Sequence, residues 1–113
     1  QSIIGDGVFI GPGTIISPYV EIGDLVTINR QVSIGHHTSI GKFTTLNPAC
    51  KLAGGSVVGS YTTIGMGANI FNDINIGSNS IIGAGSLVTK DIPDNVLAYG
   101  VPAKIIRAID SNQ

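Results

Sequence analysis

The chain has two histidines, and they are adjacent in Gly35-His36-His37-Thr38. Imidazole is the side chain whose ordinary proton equilibrium lies closest to neutral pH, which makes the pair the first place to look for proton transfer. Other chemistries fit the residue inventory less well. A zinc site takes three or four converging His, Cys or carboxylate ligands. Adjacent histidines at a chain corner are expected to point to different sides, so no metal site is expected. Cys50 is the lone cysteine; at a small inward position it is expected to pack and not to react. The serines lie at corners or inward positions, without the strained elbow of a serine nucleophile.

The element that must carry the histidines is a repeat. Hexapeptides run without insertion from Ile4 to Ile92, with Ile, Leu or Val at the head of each: Ile4, Ile10, Ile16, Ile22 and onward through Ile82 and Val88. Glycine commonly follows the aliphatic residue, as at Gly5, Gly35 and Gly83, and is read as a corner residue with unusual backbone angles. The fifth residue of each hexad is small or β-branched. A period of six held this long means a stacked solenoid and reads as an all-β fold, a parallel β-helix. His36 and His37 fall at the third and fourth positions of the hexad that starts at Ile34, which places them outward at a corner.

Composition bounds the rest. A net charge of −1 with 12% charged residues gives no electrostatic basis for binding nucleic acid or an anionic membrane. No apolar run approaches the ~20 residues of a membrane span, and a single cysteine suits a reducing, cytoplasmic setting. The chain starts at Gln1 already in repeat register, so a segment N-terminal to it is expected to have been removed. Residues 1–92 are assigned to the β-helix and 93–113 to a C-terminal cap or tail. Asp91-Ile92-Pro93-Asp94-Asn95 reads as a turn and 96–100 as an extended piece. Pro102 is placed at the start of a short helix whose apolar side, Ile105, Ile106 and Ile109, covers the last coil.

Longer motifs carry a resemblance. Gly35-His36-His37-Thr38-Ser39-Ile40-Gly41-Lys42-Phe43 resembles the G-H-D/E-x-x-I-G-x-F segment of hexapeptide-repeat sugar acetyltransferases. These are the sialic acid O-acetyltransferase family and the N-acetyltransferases of UDP-4-amino sugars. Asn47-Pro48 through Leu52-Ala53-Gly54-Gly55, the stretch from Ile82-Gly83-Ala84-Gly85 to Ile92-Pro93, and Gly100-Val101-Pro102-Ala103-Lys104 are similar to further segments of the same family. The resemblance implies a left-handed β-helix of about five triangular coils, eighteen residues to the coil, associated as a homotrimer. It places Gly54 above His36, with a backbone N–H close to the imidazole. Asn29 and Asn47 become neighbours able to ladder their amides.

The activity implied is direct acetyl transfer from acetyl-CoA to an amino or hydroxyl group of a sugar or nucleotide-linked sugar. His36 matches the catalytic base, and Gly54 the residue whose N–H holds the acetyl carbonyl. Met66 and Ala84 match the lining of the acetyl-CoA groove between subunits. Asn29 and His37 are assigned to the acceptor side, and Lys104 is a candidate for the CoA phosphates. The family's pattern has Asp or Glu after the catalytic histidine, where this chain has His37. Either another carboxylate takes that role (Glu21 or Asp24, from this chain or a neighbouring subunit), or the base is weaker, or His37 is itself the base. In full-length relatives a small N-terminal α/β domain binds the sugar nucleotide; the segments matched here are those of the β-helical part.

The competing reading is a non-catalytic structural or interaction β-helix. An ice-binding solenoid needs outward threonines, whereas Thr44 and Thr62 are expected to point inward. O- and N-acetylation use the same base and donor and are not separated by the sequence.

Overall fold

A computed structural model describes residues 1–110. Each hexad forms a two-residue strand from its aliphatic residue and the outward residue before it. The remaining four residues make a corner. Three faces result. β1 (Ile3–Ile4), β4 (Glu21–Ile22), β7 (Ser39–Ile40), β10 (Val57–Val58) and β13 (Asn75–Ile76) stack as the first. The second holds β2 (Phe9–Ile10), β5 (Thr27–Ile28), β8 (Thr45–Leu46), β11 (Thr63–Ile64) and β14 (Ile81–Ile82), extended by β16 (Val96–Gly100) and β17 (Ala103–Ala108). β3 (Ile15–Ile16), β6 (Ser33–Ile34), β9 (Lys51–Leu52), β12 (Asn69–Ile70) and β15 (Leu87–Val88) make the third. All pairs from β1 to β15 are parallel with one register: Ile4 faces Ile22, Ile22 faces Ile40, and Val58 faces Ile76. The molecule is thus an all-β parallel β-helix of about five triangular coils, as expected from the repeat and the resemblance.

From Ile22 onward every head residue is buried, each stabilising the stack by about 1.5–3 kcal/mol. Ile4 and Ile10 remain 45% and 40% exposed because no coil lies beyond the first. Most hydroxyls at the fifth position are buried with hydrogen-bond partners; Thr38 Oγ1 is the exception, buried without one among the described residues. Thr44 Oγ1 donates to Gly59 O at 2.6 Å and accepts the Thr62 N–H at 3.2 Å. Thr62 repeats this toward Gly77 O and Ser80 N–H. The expectation that Thr44 and Thr62 point inward is met.

Cys50 is fully buried, and burial pushes its thiol up to about 12 from 9.0. The folded protein is therefore expected to resist iodoacetamide at neutral to mildly alkaline pH, and to alkylate quantitatively once unfolded, which mass spectrometry reads directly. Because the unfolded chain gives up this proton near 9.0 and the fold keeps it to about 12, stability declines as pH rises between those values.

Two expectations are corrected. The glycines after the aliphatic residue do not adopt left-handed backbone. Positive φ falls two residues later, at Gly7, Gly13, Gly55, Gly67 and Gly85 and at ordinary residues such as Tyr19 (63°), Leu25 (57°), His37 (60°) and Phe43 (59°). A left-handed L-residue costs roughly 1–2 kcal/mol. Here the conformation is held by a coil-to-coil hydrogen bond from that residue's N–H, for example Phe43 N–H to Asp24 O at 3.0 Å. The earlier glycines serve close approach instead: a Cβ on Gly35 would lie 2.5 Å from the Gly54 backbone nitrogen.

The second correction concerns the tail. No helix follows Pro102. The chain turns at Val101-Pro102 and returns as β17, antiparallel to β16, pairing Gly100 with Ala103 and Val96 with Ala108. The free edge of β16 supplies partners for backbone groups, and adjacent β-branched Ile105 and Ile106 favour extended chain. Both isoleucines are about half exposed and do not cover the last coil.

Candidate active site

The site is built where the third face turns into the first. At this edge the coil that begins with Ile34 presents Gly35, His36 and His37, and the next coil presents Ala53, Gly54 and Gly55. Gly55 N–H donates to His36 O at 2.8 Å, which locks the two corners together. The His36 ring lies close against the next corner. A Cβ built on Gly54 would fall 2.8 Å from His36 Nε2 and 2.9 Å from Cε1. Only glycine at position 54 leaves room for the imidazole there. Gly54 O is occupied by the Asp73 N–H at 3.1 Å, whereas among the described residues no hydrogen bond engages the Gly54 N–H.

His36 and His37 are both exposed, as expected, but they do not point to different sides. Their Nδ1 atoms are 3.1 Å apart and their rings meet edge to face at 86°, with centroids 5.3 Å apart. His37 shares the left-handed backbone common at the fourth hexad position, with φ of 60°. His37 in turn stacks on Tyr19 at 5.1 Å and 19°. Sequence reasoning missed Tyr19. Its signal was the register, since Tyr19 is one coil of eighteen residues before His37. A hollow beside this stack is lined by Gln1, Ile3, Tyr19, Val20, Glu21 and His37.

Neither carboxylate suggested as a replacement partner reaches the His36 ring by a hydrogen bond among the described residues. Asp24 sits on the edge between the first and second faces and accepts the Asp6 N–H at 2.8 Å. Glu21 lies on the first face, beside Tyr19 and His37. Among the described residues no three His, Cys, Asp or Glu side chains converge as a metal site would require.

Asn29, Met66 and Ala84 occupy a different edge, between the second and third faces, one side of the triangle away from His36. Asn29 Nδ2 donates to Leu46 O at 3.2 Å and to Asn47 Oδ1 at 3.4 Å, so the amide ladder forms. Met66 and Ala84 are exposed, one above the other. Beside them Gly67 and Gly85 carry positive φ, and a Cβ on either would meet nothing within 4 Å. The backbone of this edge is therefore bare over two coils. Lys104 lies exposed on β17.

Fold and site together define a hexapeptide β-solenoid with an imidazole laid over a side-chain-free stretch of backbone. A profile for the bacterial transferase hexapeptide (six repeats) matches residues 1–36. The product of the Bacillus cereus BC4754 gene is 31% identical, with 98% of this chain and 69% of that one covered and a TM-score of 0.68. The chain belongs to the bacterial hexapeptide-repeat transferase family.

Two further solved structures are similar. PerB from Caulobacter crescentus, in complex with CoA and GDP-perosamine, is 38% identical over 94% of this chain and 54% of its own, with a TM-score of 0.84. The acetyltransferase domain of PglB from Neisseria gonorrhoeae FA1090, in complex with acetyl coenzyme A, is 28% identical over 93% and 51%, with a TM-score of 0.92. The chain thus spans about half the length of these two proteins. No curated protein matches it.

Proposed function

We propose that the chain is the β-helical part of an acetyl-CoA-dependent acetyltransferase acting on an amino or hydroxyl group of a sugar or nucleotide-linked sugar. The observation that carries this reading is His36 Nε2 lying directly over Gly54. The acceptor nitrogen or oxygen attacks the thioester carbonyl while His36 Nε2 takes its proton. The Gly54 N–H faces the carbonyl oxygen as negative charge grows on it. The carbon–sulfur bond then breaks, and the imidazolium returns its proton to the CoA thiolate. No acyl-enzyme forms, in keeping with the buried, protonated Cys50.

Acetyl-CoA suits the edge between the second and third faces, where an extended pantetheine arm would meet bare backbone at Gly67 and Gly85 beside the apolar Met66 and Ala84 side chains. That edge and the His36 edge lie on different corners of one prism. Their cooperation requires a second copy, and a homotrimer supplies each groove from two neighbouring chains. Asn29, on the Met66 edge, then contributes to the acceptor pocket from the neighbour. The structures with CoA, acetyl coenzyme A and GDP-perosamine support this donor and this class of acceptor. A soluble cytoplasmic setting fits the donor, and among the described residues no helix is long and apolar enough to cross a membrane.

The test is a calorimetric titration of acetyl-CoA with the solution mass measured alongside. Saturable binding with one donor per chain of a trimer is expected. A trimer that takes up no donor at millimolar concentration would overturn the acetyltransferase reading and leave a non-catalytic β-helix.

A further inference from the structure

We infer that His37 is a positioning residue: its Nδ1 accepts the Nδ1–H of His36 and thereby keeps Nε2 of His36 unprotonated over Gly54. The inference deepens the reading of His36 as base and rests on it. Between two imidazole nitrogens 3.1 Å apart there is room for one hydrogen, so one ring donates and the other accepts. In the neutral pair only two arrangements exist. If His37 donates, His36 carries its own hydrogen on Nε2, and the nitrogen facing Gly54 cannot take another. If His36 donates, its Nε2 lone pair is free, and His37 holds its hydrogen on its own Nε2. The second arrangement is the one a base at Nε2 requires.

The surroundings explain why His37 can serve. Its ring plane is fixed by the Tyr19 ring, stacked at 5.1 Å and 19°. Tyr19 and His37 occupy the same corner position one coil apart, with φ of 63° and 60°, so the stack is set by the solenoid itself. The nearby carboxylates do not compete. Glu21 lines the adjoining hollow without a hydrogen bond to either ring among the described residues, and Asp24 is bonded to Asp6 on another edge. A neutral imidazole acceptor orients the His36 ring as a carboxylate would, but adds no negative charge. When Nε2 takes the acceptor's proton, the Nδ1–H···Nδ1 bond becomes charge-assisted and tightens as the reaction proceeds.

The chain has only two histidines, which makes its imidazole nitrogens resolvable by 15N NMR of the whole labelled chain. At about pH 9, where an ordinary imidazole is neutral, His36 is expected to show a protonated Nδ1 and a bare Nε2. His37 should show the reverse, with scalar coupling across the Nδ1–H···Nδ1 bond. In His37→Leu the His36 hydrogen should move largely to Nε2. Leu25 holds the same corner conformation at φ 57°, so leucine fits the backbone. His37→Glu should restore the Nδ1–H form. Wild-type His36 protonated at Nε2, or His36 signals unaltered by His37→Leu, would overturn the inference.

In acetyl-transfer assays His37→Leu is expected to lose about 10- to 100-fold in kcat with the KM for acetyl-CoA unchanged, and His37→Glu to recover it. Unchanged kcat in His37→Leu would overturn the inference as well. The spectra need no substrate, so their outcome is separate from that of the base reading, which fails if His36→Ala retains transfer.

Discussion

His36→Ala is expected to lower the acetyl-transfer rate by about 10²–10⁴-fold, the usual contribution of a positioned general base. Donor affinity and thermal stability should not change with it. The His36 side chain is exposed and its backbone makes the coil-to-coil bonds, which alanine keeps. Alanine already occupies the equivalent corner position at Ala84, so the substitution introduces no new backbone demand. The measurement is release of CoA thiol with a panel of amino- and hydroxy-sugar nucleotides as acceptors, alongside calorimetric donor affinity for the variant. A variant that transfers acetyl at the wild-type rate would remove His36 from the base role and return His37 to consideration.

Gly54→Ala is expected to cost about 100-fold in transfer while leaving the protein folded. A single added methyl would stand 2.8 Å from His36 Nε2 and 3.1 Å from His36 O. The imidazole, being the free end of an exposed side chain, must swing aside by roughly 1 Å. A displacement of that size at reacting atoms is enough for about a 100-fold loss. The fold survives because the shortest contacts are with a movable side chain, and the His36 carbonyl at 3.1 Å need give by only a few tenths of an ångström. An unchanged melting temperature with lost turnover is the expected pair of results. Retained turnover would mean that the ring works from another position than the one over Gly54.

The sequence made the scaffold legible and the site half so. Hydrophobic periodicity names the inward residues one by one, because a parallel stack with a fixed coil length offers them only one register. The stacking of Gly54 over His36 and of Asn47 over Asn29 follows from the same register. What escaped were features that depend on torsion angles. The left-handed corner residue is Gly in some coils and Tyr, Leu, Phe or His in others, because coil-to-coil hydrogen bonds hold the conformation whatever the side chain. Composition therefore pointed to the wrong corner position for it. The meeting of the His37 ring with that of His36 is likewise a matter of torsions, which no spacing rule contains. In the tail, isoleucines compatible with a helix went to a strand because β16 offered an unpaired edge, a tertiary influence outside the reach of local propensity.

The uninterrupted hexads of the two central coils have a consequence for how such a site can change over time. His36 and Gly54 meet because seventeen residues intervene, and no flexible segment between them can absorb an error. One residue gained or lost there would rotate every later side chain away from its partner, so length variation within that stretch is closed to drift. Exchange of residue types at the outward positions stays open. A lineage of such chains would diverge by substitution around a fixed address, and new specificities would arise by repainting corners and not by remodelling loops.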